Sequence, residues 1–87
     1  MDTRIQLLAR IVRRKRQEAN LTQANLSEKL GVLPSTLSRI ERGEVAASWL
    51  FVLELCEFFQ IELKEELQKE KEILIKELES KLDELKK

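Results

Sequence analysis

Ser35, Ser38, Arg39 and Arg42 stand at i, i+3, i+4 and i+7, the spacing that gathers side chains on one face of an α-helix. A guanidinium on such a face can donate two hydrogen bonds to the O6 and N7 of guanine, and serine hydroxyls can bond several base edges. A helix is also an element that fits the major groove of a duplex. This is recognition chemistry, in which no bond is made or broken. The residues that bond-making chemistry needs are scarce. The 87-residue chain has no His, one Cys and two Gly. It therefore offers no metal-ligand cluster, no nucleophile with a base beside it and no glycine-rich phosphate loop. Cys56 falls on an apolar stripe, where a free thiol behaves as a small core residue. We read the chain as a non-enzyme that needs no cofactor and no metal.

The recognition face needs a helix held by others. Proline is favoured at the first helical position and Gly43 marks an end, so the spacing predicts a helix over 34–42 with Leu37 and Ile40 inward. Thr22 is placed to cap a preceding helix over 23–30, with Leu26 and Leu30 inward and Gly31 closing it. Upstream, Ile5, Leu8, Val12 and Ala19, with Leu7 and Ile11 alongside, give a first helix over about 3–19. Its outer surface is expected to carry Arg10, Arg13, Arg14, Lys15 and Arg16.

Downstream, Ser48 caps a fourth helix over 49–59. Trp49, Val52, Leu53, Cys56 and Phe59 form one apolar stripe, and Phe51, Leu55 and Phe58 a second. A helix apolar on two sides is covered on two sides, so the second stripe is expected to meet either the last helix of the same chain or a second subunit. From Glu62 to Lys87 there is no Gly or Pro, and Glu–Lys pairs recur at helical spacing. Ile75, Leu78, Leu82 and Leu85 in that stretch follow a 3-4-3 heptad seam.

Net charge is zero, yet residues 1–43 carry nine Lys/Arg against four Asp/Glu, and residues 44–87 carry seven Lys against twelve Asp/Glu. The basic half suits a polyanion and the acidic half does not. One Cys cannot form an internal disulfide, which fits a reducing cytoplasm. No apolar run reaches the roughly 18 residues of a membrane span, and no secretory leader is expected.

The wording of the helical pair is distinctive. Leu21-Thr22-Gln23, Leu26-Ser27-Glu28-Lys29-Leu30-Gly31-Val32 and Ser35-Thr36-Leu37-Ser38-Arg39-Ile40-Glu41-Arg42-Gly43 closely resemble the phage-repressor and Cro-like family of helix-turn-helix domains, over roughly residues 4–67. The resemblance implies an all-α, five-helix domain of the phage-repressor type whose third helix enters the major groove. It implies that Gln23 lies near the DNA backbone, that Ser35, Ser38 and Arg39 read bases, and that Thr36 and Arg42 approach phosphates or pyrimidine methyls. It also implies a salt bridge from Arg16 to Glu41. The chain departs from the pattern at Leu33, where a Ser or Thr cap is usual, at Pro34, where a polar base reader is common, at Gln60, where glycine is common, and at Glu44-Val45-Ala46-Ala47, which lacks basic residues.

These readings together predict a helix-turn-helix domain over residues 1–66 and an extended C-terminal helix over 67–87, whose short coiled-coil seam does not hold a dimer alone but joins Phe51, Leu55 and Phe58 of the fourth helix in a homodimer interface. The expected function is transcription regulation, as a repressor that binds a palindromic operator in double-stranded DNA. The expected DNA contacts are Gln23, Ser35, Thr36, Ser38, Arg39, Arg42 and Arg13. The alternative is a protein-interaction module, or an antitoxin-like protein whose C-terminal helix binds a partner protein.

Overall fold

The computed structural model describes residues 2–86, and it is built of five helices: α1 (Thr3–Glu18), α2 (Gln23–Leu30), α3 (Pro34–Glu41), α4 (Trp49–Phe59) and α5 (Leu63–Leu85). Each boundary has a local cause. Asp2 accepts a hydrogen bond from the Arg4 N–H at the start of α1. The Thr22 hydroxyl accepts from the Asn25 N–H at 3.0 Å, and the Asn25 side chain accepts from the Thr22 N–H at 3.4 Å, a reciprocal cap for α2. The Ser48 hydroxyl accepts from the Phe51 N–H at 3.1 Å and opens α4. Leu33 supplies no side-chain cap to α3, but Pro34 at the first position has no N–H to be left unpaired.

Left-handed backbone occurs at four described residues, Asn20, Gly31, Gly43 and Gln60. Gly31 closes α2 with φ +70°, and the Val32 N–H returns to the Ser27 carbonyl. Gly43 also has φ +70°, so this turn favours glycine for its backbone conformation, while a Cβ there would meet only the movable end of the Gln6 side chain. Gln60 ends α4 in the left-handed region without being glycine, and its side-chain amide donates to the Glu57 carbonyl at 2.7 Å.

The core gathers Val12 of α1, Leu26 and Leu30 of α2, Leu37 and Ile40 of α3, and Phe51, Val52 and Leu55 of α4. The second stripe of α4 is therefore divided, contrary to expectation. Phe51 and Leu55 are buried in this core and are covered by the domain's own α1–α3, while Phe58 is 40% exposed. The reason is that α4 packs one side, Phe51–Leu55–Phe59, against the core, which leaves Trp49, Leu50 and Leu53 at the surface. Phe58 packs edge-on against Phe59 and lies under the Lys29 ammonium.

α5 is a single unbroken helix. Its first half lies along α1, and its apolar residues further on, Ile75, Leu78, Leu82 and Leu85, are exposed. Among the described residues, no helix is long and apolar enough to cross a membrane, and no group of side chains could hold a metal ion.

Candidate nucleic-acid interface

α3 is pinned from behind. Leu37 and Ile40 bury its inner side, and Glu41 is buried beside them. The Glu41 carboxylate accepts from Arg16 of α1 twice, Nε to Oε2 at 2.8 Å and Nη2 to Oε1 at 2.9 Å. The Arg16 Nη1 donates to the Leu21 carbonyl at 3.0 Å, and the Gln23 Nε2 of α2 donates to Glu41 Oε1 at 3.3 Å. One carboxylate thus ties three helices together, with its buried charge answered by a bidentate guanidinium. The Arg16–Glu41 bridge that the resemblance implies is present.

The opposite side of α3 faces solvent. Ser35, Thr36, Arg39 and Arg42 are exposed, and Ser38 is half-buried between the two sides. Gln23 stands apart from this group, half-buried against Glu41. Arg42 is not free: its Nε lies 3.0 Å from Glu44 Oε1 and its Nη2 donates to Glu44 Oε2 at 3.1 Å, while Arg39 Nε lies 3.9 Å from the same carboxylate. Sequence reasoning noted the loop after α3 only for the cations it lacks. The signal for this contact is an acid two residues beyond an arginine, across a turn that doubles the chain back.

The expected basic outer surface of α1 is largely consumed inside the molecule. Arg14 donates to both Glu66 and Glu70 of α5, each at 2.6 Å, and Arg10 donates to Glu70 at 2.9 Å and to Glu77 at 3.0 Å. The Lys15 ammonium lies 3.3 Å from Glu66. Both Glu66 and Glu70 are buried. Burial pushes both carboxyls up, but the hydrogen bonds and charge of Arg14 with Lys15 at Glu66, and of Arg14 with Arg10 at Glu70, outweigh it and hold them below the usual carboxylate range. With Arg16 committed to Glu41, Arg13 is the member of the Arg13–Arg16 run that remains exposed and makes no ion pair among the described residues. The paired charge halves of the sequence thus neutralise each other across the α1–α5 contact. The signal was present as two matched i, i+4 pairs, Arg10 with Arg14 and Glu66 with Glu70.

A helix-turn-helix family model matches residues 12–65 of this chain. No curated protein matches it. Among solved structures, the clp gene regulator ClgR from Corynebacterium glutamicum is similar, with a TM-score of 0.76 at 21% identity over 93% of this chain and 87% of that one. At that identity the likeness is one of fold, and it spans all five helices in an all-α arrangement.

Proposed function

The chain belongs to the helix-turn-helix family of the phage-repressor and Cro-like type and is a DNA-binding transcriptional regulator, and from that premise we propose that it is a repressor that binds a palindromic operator as a homodimer. The observation that carries the reading is α3 itself. Its inner side is fixed by Leu37, Ile40 and the Arg16–Glu41 bridge, and its outer side presents Ser35, Thr36, Arg39 and Arg42 to solvent. A rigid helix with polar donors outward suits insertion into a major groove. Arg39 supplies the fork for a guanine, Ser35 and Ser38 adapt to neighbouring edges, Thr36, Gln23 and Arg13 serve the backbone, and Arg42 contacts the duplex beside them. Repression follows by occupying DNA that polymerase needs.

Dimerisation is assigned to the extension over residues 67–87. The exposed Ile75, Leu78, Leu82 and Leu85 support it, because a seam of that spacing suits a second helix. The reading is tested by titrating duplex DNA with the full chain at several salt concentrations. Binding at low salt that weakens linearly in log–log form is expected. A chain that binds no duplex at about 50 mM salt contradicts it and leaves the exposed α5 seam to a protein partner.

A further inference from the structure

The Arg42–Glu44 contact has a particular geometry. The carboxylate approaches the guanidinium from the side, through Nε at 3.0 Å and Nη2 at 3.1 Å. A guanidinium has five N–H donors, two on each terminal nitrogen and one on Nε. A side-on carboxylate engages Nε–H and one Nη2–H. It leaves the end-on edge of the fork, formed by Nη1 and the second Nη2 hydrogen, unused. That edge is the one a guanine accepts through O6 and N7. Arg42 caps the C-terminal end of α3 and is 57% exposed, so its free edge is available to a duplex.

We propose that Glu44 is a positioning and specificity-determining residue, which holds Arg42 side-on and so presents the end of its fork to a base edge instead of a phosphate. This rests on the duplex-binding reading above and refines it. Two effects act together. An arginine held in place has already lost much of the side-chain freedom that a base contact would otherwise cost. An arginine beside a carboxylate is also a weaker attractor of phosphate, because the local charge is cancelled where only long-range attraction is on offer. The first effect favours the matched sequence and the second penalises every other. Arg39, 3.9 Å from the same carboxylate, gains a counter-charge that relieves its repulsion from Arg42.

The test compares the parent full chain with Glu44→Gln on two probes, a duplex enriched from a random pool by the parent and a duplex of scrambled sequence. Glu44 is exposed and outside every helix, and thermal melting of both proteins checks that the fold is kept. Removing the carboxylate is expected to tighten scrambled-duplex binding about two- to fivefold and to steepen its salt slope by about 0.9. The enriched duplex is expected to gain nothing, so that the enriched-to-scrambled affinity ratio falls. A ratio that stays constant or rises overturns the proposal, whether both affinities move together or neither moves. A parent that enriches no duplex from the pool sinks the duplex-binding reading and the proposal along with it, whereas an enriching parent with an unchanged ratio removes Glu44 alone.

Discussion

Arg39 and Arg16 each lie near a glutamate outside their own helix, and the molecule uses them in opposite ways. Arg39 is exposed, with Glu44 Oε2 at 3.9 Å. Replacing it with Ala is expected to leave thermal stability unchanged and to cost about 1–3 kcal/mol of binding to an enriched duplex, with little change on a scrambled one. Quantitative band-shift titration measures both, and equal losses on the two duplexes would make Arg39 a phosphate contact. Arg16 is instead committed to buried Glu41. Arg16→Met and Glu41→Gln are each expected to destabilise the fold by about 3 kcal/mol, since either leaves the other charge without its partner. The double variant should lose less than the sum, and urea unfolding of the full cycle reads the coupling. At this scale the sequence was informative about α3, because the residues of a helix face are local. It was silent about Arg42–Glu44, because a turn, not a periodicity, brings that pair together.

α5 is attached to α1 mainly by charge, which sets when it stays attached. Glu66 and Glu70 have carboxyls held below their ordinary value by the guanidiniums and the ammonium of α1. The unfolded chain therefore binds more protons than the folded one between the two values. The stability that the clamp contributes is complete above the ordinary Glu pKa of about 4.3 and is lost as pH falls below it. Chemical unfolding between neutral pH and pH 3 is expected to show this loss in the parent and a flatter profile in Glu70→Gln, which has less to protonate and is weaker at neutral pH. Identical pH profiles would remove Glu70 from the clamp. The element boundaries were legible from Thr22, Gly31, Pro34, Gly43 and Ser48, residues whose effects act within one turn. The α1–α5 pairing was not, because buried carboxylates look like solvated ones until the partner helix, more than fifty residues away, is in place. The same blindness gave Phe51 and Leu55 to the last helix or a second subunit instead of α1–α3: helical periodicity gives stripes, and only the packed domain says what covers each.

On the scale of the whole molecule, the chain is elongated, 47 by 25 by 24 Å, with the C-terminal part of α5 lying beyond the last ion pair at Glu77. Replacing Leu78 and Leu82 by Lys puts charge into the exposed seam without touching the α1–α5 clamp. Sedimentation equilibrium is expected to show a dimer for the parent at micromolar concentration and a monomer for the double variant. A parent that sediments as a monomer would take dimerisation away from this helix.

The most direct measurement of the central claim is selection of bound duplexes from a random pool by the full chain. A face on α3 that reads bases, carried by a two-fold dimer, predicts enrichment of an inverted repeat whose half-sites lie about one helical turn apart. A recovered pool as random as the starting one would contradict base reading by α3.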